Sequence, residues 1–161
     1  MPVVPLSASR RRFLVRSAAV ATGVLGLSIV PRRPLRAAPE AMQELIRKII
    51  GDAALQVDKV RFDAPALVEN GNAVPLTVSV ESPMTEKDHV KAIHIINEKN
   101  PQPHVISVRL GPRAGKATLS TRIKLKDSQQ LIAIAETSDG SFWTGTADVI
   151  VTLAACVEDR L

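Results

Sequence analysis

The sequence predicts a mainly β protein, an antiparallel β-sandwich of immunoglobulin-like type with one short helix ahead of it. Three observations carry that expectation. Apolar and polar residues alternate at a period of two through most of residues 57–153, as they do in strands with one buried face. Gly, Pro, Asn, Asp and Ser interrupt the alternation at short intervals, which divides the region into about seven strands. Helical spacing occurs in one mature stretch, just after Pro39. With a single Cys in the chain, the Cys…Trp…Cys signature of antibody domains is absent.

The chain begins with a different kind of segment. Ser9-Arg10-Arg11-Arg12-Phe13-Leu14 is basic, Ser17 to Val30 is small and apolar, and Pro31 to Pro39 carries further arginines and small residues. A charged start, an apolar middle too short to span a bilayer and a small-residue end describe a secretory signal peptide, not a transmembrane helix. The Arg10-Arg11 pair ahead of Phe-Leu matches the bacterial twin-arginine export signal. Residues 1–37 are therefore expected to be removed, with cleavage after Ala37 or Ala38, and the mature protein is expected in the periplasm, exported already folded.

Removing the leader changes the electrostatic reading. Of the 21 Lys and Arg, seven Arg lie at positions 10, 11, 12, 16, 32, 33 and 36. The mature chain keeps 14 basic residues against 16 acidic ones, a formal charge of about −2. With one Trp and two mature Phe there is neither a basic patch nor an aromatic platform for nucleic acid. No membrane association is expected after processing. About 124 residues suffice for one domain with an ordinary core, which matters because a lone Cys cannot close an intramolecular disulfide.

Residues 38–56 form the N-terminal helical segment. Met42, Leu45, Ile46, Ile49 and Ile50 share one helical face. Glu40 and Glu44 near the start and Arg47-Lys48 near the end suit the helix dipole, and Gly51 is the expected stop. Packing on its own domain is favoured over binding a partner.

Strands follow over 57–153. Val57 to Phe62 and Ala66 to Val68 lead into Glu69-Asn70-Gly71-Asn72, a turn signature of the kind that closes a hairpin. Val74, Leu76, Val78 and Val80 alternate with polar residues or Pro, then Ser82-Pro83-Met84 breaks the strand. Val90 to Ile96 and His104 to Leu110 are strands on either side of the Asn97–Pro103 loop. Ala117 to Leu125 alternates again, Gln130 to Glu136 runs into a second hairpin turn at Thr137–Ser141, and the last strand spans Phe142 to about Leu153. Residues 154–161 are a tail bearing the single thiol, Cys156. With Leu153 the last residue paired, the tail is expected to be exposed and flexible from Ala154, placing Cys156 roughly 10 Å from the sandwich.

Several of these stretches, in this order, resemble the SoxY family, the sulfur-carrier subunit of the bacterial thiosulfate-oxidising system. They are Val68 to Pro75, Glu81-Ser82-Pro83-Met84, Asn100-Pro101-Gln102-Pro103, Thr121 to Leu125, Glu136 to Gly140 and the closing Val151-Thr152-Leu153-Ala154-Ala155-Cys156. The resemblance implies an immunoglobulin-like fold and a heterodimer with a SoxZ-like subunit. It also implies covalent attachment of thiosulfate and its oxidation intermediates to Cys156, which carries them between periplasmic sulfur-oxidising enzymes. A thiolate is nucleophilic and takes reversible sulfur caps, so the implied chemistry suits the residue. The family's tail is glycine-rich on both sides of its cysteine, whereas Cys156 lies between Ala154-Ala155 and Val157-Glu158-Asp159-Arg160-Leu161. Val157 is stiff at χ1, and Glu158 and Asp159 disfavour a thiolate.

Other chemistries have weaker support. His89, His94, His104, Met84 and Cys156 contain the ligand types of a copper site, but their spacing is poor and surface histidines are the better reading. No Ser-His-Asp order or glycine-rich phosphate loop stands out. No catalytic site, cofactor or metal is expected; the chain is read as a substrate carrier, not an enzyme. The alternative is a non-covalent SoxY-like binding or scaffold module whose arm is altered.

Overall fold

The computed structural model describes residues 39–155. Arg10 and Arg11 of the expected leader, and Cys156 with the residues after it, lie outside them.

Helix α1 (Glu40–Ile50) starts at Pro39, whose carbonyl accepts from the N–H groups of Met42 and Gln43 at 2.9 and 3.1 Å. It stops at Gly51, whose φ of +61° is open to glycine and whose N–H reaches the Arg47 carbonyl at 2.8 Å. Its apolar stripe packs on Ile96, Ile132 and Ile134 of the body, with Met42 fully buried.

Nine strands follow: β1 (Leu55–Gln56), β2 (Val60–Asp63), β3 (Leu67–Asn70), β4 (Val74–Val80), β5 (Val90–Asn97), β6 (His104–Arg109), β7 (Ala117–Ile123), β8 (Gln129–Thr137) and β9 (Phe142–Leu153). They make two facing sheets, one in the order β1-β9-β8-β5-β6 with β3 also paired to β9, the other β2-β4-β7. This is the expected immunoglobulin-like sandwich. Val74, Leu76 and Val78 of the small sheet meet Ile93, Ile95, Leu131, Ala133 and Val149 of the large one. β8 shows why a strand can be apolar throughout. Leu131, Ala133 and Ala135 face the sandwich core, while Ile132 and Ile134 lie under α1. A strand covered on both faces loses its alternation.

Two details differ from the sequence-based expectation. Asn70-Gly71 does not close a hairpin. The Asn70 side chain accepts from the Asn72 N–H at 2.9 Å and starts a 3-10 turn over Gly71–Ala73, and the chain crosses from one sheet to the other. The hairpin turn that Asn-Gly favours needs positive φ at both central residues; Asn70 has φ −133° and Gly71 is not among the positive-φ glycines. The sandwich is also not wholly antiparallel. β1 and β3 both pair parallel to β9, at Leu55↔Phe142 and at Leu67↔Ile150. They are short segments laid on the outer edge of β9 as the chain passes between sheets, and two to four residues give too little periodicity to read from sequence.

Candidate functional site: the root of the C-terminal arm

β9 outruns its neighbour. Its last pair with β8 is Gln129↔Val149, yet the strand continues to Leu153. Backbone groups beyond the end of a partner strand need other partners. On one side β3 supplies them, through Leu67↔Ile150, Val68↔Val151 and Asn70↔Leu153, with the Ile150 N–H on the Ala66 carbonyl at 2.9 Å. On the other side the Ser128 hydroxyl accepts from the Val151 N–H at 2.9 Å. The Thr152 hydroxyl adds a bond to the Glu69 carbonyl at 3.2 Å.

The anchoring does not end with the strand. Ala154 is exposed, but Ala155 is buried, with 7% of its surface accessible. Its N–H donates to the Leu125 carbonyl at 3.0 Å, and the Leu125 N–H donates to the Gly71 carbonyl at 2.8 Å. Gly71 lies under this crossing. A Cβ there would overlap the Leu125 carbonyl and stand 2.8 Å from the Ala155 nitrogen. The glycine is required by close backbone approach, not by its φ. The chain is therefore held beyond Leu153, at least as far as Ala155, and not free from Ala154 as expected; this tie is made to the β7–β8 connection and not to the sheet.

A polar network stiffens the same end. Asn100 donates to the Lys124 carbonyl at 2.8 Å, and its side-chain oxygen accepts from the Lys126 N–H at 3.0 Å and from Gln129 Nε2 at 2.8 Å. Gln129, nearly buried, accepts in turn from the Lys99 N–H at 2.8 Å. Asn97 accepts from the Asn100 N–H and donates to the Gln102 carbonyl. Lys99 pairs with Asp127 at 3.1 Å, and that bond together with the Ser128 N–H holds the Asp127 carboxyl below its ordinary range. The exposed side chains of Lys124 and Lys126 flank Leu125, which carries the Ala155 bond. Beside the network a cleft of about 600 Å³ opens along β6 and β7, lined in part by Ile106, Arg122 and Lys124.

The sequence-predicted residues fall unevenly on this geometry. Cys156 is the residue immediately after the buried Ala155 but lies outside the described residues, as do Arg10 and Arg11. The copper candidates do not converge. Met84 sulfur accepts from the Val90 N–H at 3.5 Å, and His89 bonds the Thr85 carbonyl at 3.1 Å. His94 and His104 meet only through Ser107, whose hydroxyl is 2.7 Å from His94 Nδ1 and 2.8 Å from His104 Nε2. One hydroxyl proton lets Ser107 donate to one ring and accept from the other. Burial lowers the pKa of His94, opposed by Glu136 and reinforced by His104. Among the described residues no group of three or more His, Cys, Asp or Glu is placed to hold a metal. Gly71, Asn100 and Leu125 sit within the stretches that carry the family resemblance, but their roles at the arm root were not read from sequence. Ser128 and Gln129 gave no signal at all, being ordinary polar residues at a strand start.

Fold and site together define an immunoglobulin-like domain that ties its chain down as far as Ala155 at one end of the sandwich. The family whose sequence profile matches is described as sulfur oxidation protein SoxY, over residues 46–156, and the chain belongs to the SoxY family. Among solved structures it is similar to the sulfur carrier protein SoxY from Chlorobium limicola f thiosulfatophilum, at 25% identity and a TM-score of 0.59, covering 70% of this chain and 97% of that one. Two superoxide reductases share the fold alone. The neelaredoxin from Ignicoccus hospitalis is 20% identical with a TM-score of 0.53, covering 58% of this chain and 80% of its own. The enzyme from Nanoarchaeum equitans is 12% identical with a TM-score of 0.51, covering 60% and 100%. A search of curated proteins found no match.

Proposed function

We propose that the protein is a periplasmic sulfur carrier whose Cys156 covalently holds thiosulfate-derived intermediates. The observation that supports this most is the anchoring of the chain up to Ala155, which puts a hydrogen-bonded, buried residue immediately ahead of the only thiol. Family membership and the likeness to a SoxY sulfur carrier support the same reading. Loading is an oxidation: the Cys156 thiolate and the outer sulfur of thiosulfate join as Cys–S–S–SO3⁻, and two electrons leave to the oxidant of a conjugating enzyme. Hydrolysis of the terminal S–S bond then releases sulfate and leaves a persulfide on Cys156. Lys124 and Lys126 beside the root provide positive potential for an anionic cargo, screened as exposed charges are. The carrier works with a SoxZ-like subunit as a heterodimer and with periplasmic sulfur-oxidising enzymes, and reaches its compartment through the Arg10-Arg11 signal.

The test is the intact mass of the purified protein after incubation with thiosulfate and a conjugating enzyme. A gain of S2O3 in wild type, and none in Cys156→Ser, is the expected result. A Cys156 that alkylates freely yet gains no sulfur would overturn the covalent role and leave a non-covalent binding or scaffold module.

A further inference from the structure

The charges of the chain are unevenly placed. Residues 99–126 hold seven Lys or Arg and no Asp or Glu. That is half of the 14 basic residues outside the expected leader. The same stretch builds β6 and β7, each the last strand of its sheet. β6 pairs with β5 and β7 with β4, so among the described residues one edge of each has no strand partner. The far edge of the small sheet differs. β2 there is four residues long and carries Asp63 beside Arg61, whereas β7 has seven residues and no carboxylate.

The cleft of about 600 Å³ opens between the two free edges. Its walls include Val105, Ile106 and Ile123, which also pack on the sandwich core. Arg122 and Lys124 stand exposed at its margin. Among the described residues neither has a carboxylate within ion-pair distance, while Lys99 of the same stretch is paired with Asp127. Along β7, Thr121 and Ile123 are the more buried residues and Ser120 and Arg122 the exposed ones, with Lys124 exposed two residues on. A strand laid beside β7 would turn one face to the apolar walls and the other to these cations. Alternate residues of a strand share a face about 6.8 Å apart, so carboxylates at every second position match Arg122 and Lys124. Cations on an edge deter pairing with a like-charged edge. The β7 of a second copy would bring Lys116, Arg122 and Lys124, and no carboxylate to meet them.

We propose that the free edge of β7 docks an extended acidic segment of a partner protein, which adds to the small sheet as a further strand. The segment alternates apolar and acidic residues. The apolar ones meet Ile106 and Ile123, and the acidic ones meet Arg122 and Lys124. This surface goes beyond the carrier reading and does not depend on it.

The probe is an end-capped peptide of alternating Val and Glu with the length of β7, seven residues. It is titrated into the full mature protein by calorimetry, and amide hydrogen exchange is followed by NMR. The peptide should bind and slow the exchange of β7 amides. Arg122→Ser combined with Lys124→Ser, at two exposed positions, should weaken binding by about 2- to 30-fold. About 1 M NaCl should weaken it too, as it screens exposed charges. Arg61→Ser, exposed on β2 at the other edge of the same sheet, should leave it unchanged. The peptide with Lys in place of Glu, or with every backbone nitrogen methylated, should not bind. An absence of binding up to about 1 mM peptide overturns the proposal. Equal binding of the methylated peptide does so as well, because no strand is then added. Protection of the same amides by sodium thiosulfate alone would make this a small-anion site, and a dimer of the chain that buries β7 would give the edge to a second copy; either overturns the acidic partner.

Discussion

At one end of the sandwich β8 turns into β9 through Ser138–Ser141, and most of the bonding is internal to the turn. The Asp139 carboxylate accepts from the Thr137 hydroxyl at 2.6 Å and from the Ser141 N–H at 3.0 Å, and Gly140 takes φ +82°. At the other end the loops are held by partners remote in sequence, Asn100 to Lys124 and Lys126, Glu98 to the Gln130 N–H, and Ala155 to Leu125. The first end is held chiefly by its own sequence, with Ser138 alone reaching out to His89 and Lys87. The second exists only once the whole sandwich has assembled, and it is the end from which the arm leaves. A local turn is sufficient for a connection, but a fixed departure point for a terminal segment requires long-range ties.

The largest expected difference between the ends is at their glycines. Gly71→Ala pushes a methyl into the Leu125 carbonyl and towards the Ala155 nitrogen, and should lower stability by about 3 kcal/mol as an overpacked site. Gly140→Ala has open space around its Cβ but a left-handed backbone, and should cost about 1 kcal/mol. Denaturant unfolding of the two variants gives both numbers. Equal costs would mean that the backbones at the arm root move apart easily, and the contrast between the ends would fail.

Side chains come next. Asn100→Ala removes three hydrogen bonds, one of them to the nearly buried Gln129, and should cost about 2–3 kcal/mol. Asp139→Ala removes bonds within an exposed turn and should cost about 1 kcal/mol. Thermal unfolding by calorimetry would show a clearly lower melting temperature for the Asn100 variant. The reverse order would make the local turn the more critical end.

This contrast also separates what was legible in the sequence from what was not. α1, with its stripe from Met42 to Ile50 and its stop at Gly51, could be read because one face and one stop signal lie within eleven residues. β4 could be read from the alternation of Val74 to Val80, and the hairpin from Asp139-Gly140. The Asn70-Gly71 pair was misread because the same dipeptide serves a tight turn or a close approach, and the second depends on where Leu125 and Ala155 end up. The alternation carries β9 correctly to Leu153, but it cannot show that Ala155 is tied to Leu125, so the arm appeared to begin at Ala154. The family resemblance drew attention to Gly71, Asn100 and Leu125 without saying what they do; the chain's long-range contacts say it.

Ionisation sharpens the comparison on a smaller scale. Asp127 and Asp139 both have carboxyl groups held below the usual 3.8, the first chiefly by the Lys99 ammonium and the second chiefly by the Thr137 hydroxyl and the Ser141 N–H. A depressed carboxylate favours the folded state above its unfolded value, and that contribution is lost as pH falls through the folded value. Both losses therefore fall below about pH 3.8. They differ in salt. Adding about 1 M NaCl screens an exposed charge pair and should move Asp127 back towards 3.8, as should Lys99→Gln, while Asp139 stays low. Side-chain NMR titration of both residues checks this, and an Asp139 that responds to salt as strongly as Asp127 would show the two ends to be electrostatically alike.

The smallest expected effect tests whether the hairpin end can tolerate a polar defect that the arm end lacks. Among the described residues one buried side-chain nitrogen or oxygen has no hydrogen-bond partner, Trp143 Nε1, on the second residue of β9. The indole is packed against the sandwich core, and Lys59 Nζ stands 4.4 Å from its ring centre. An unpaired buried donor is unfavourable by about 1–3 kcal/mol, which offsets much of what the large ring contributes by burial and by its contact with the cation. In Trp143→Phe the unpaired donor disappears, while an apolar ring remains in the core and over Lys59, with less area and a weaker attraction. The opposing changes should leave stability within about 1 kcal/mol of wild type. Since Trp143 is the only tryptophan, the measurement is circular dichroism or calorimetry, not fluorescence. A loss much greater than that would mean the indole N–H has a water partner in solution, and the hairpin end would then be as fully satisfied as the arm end.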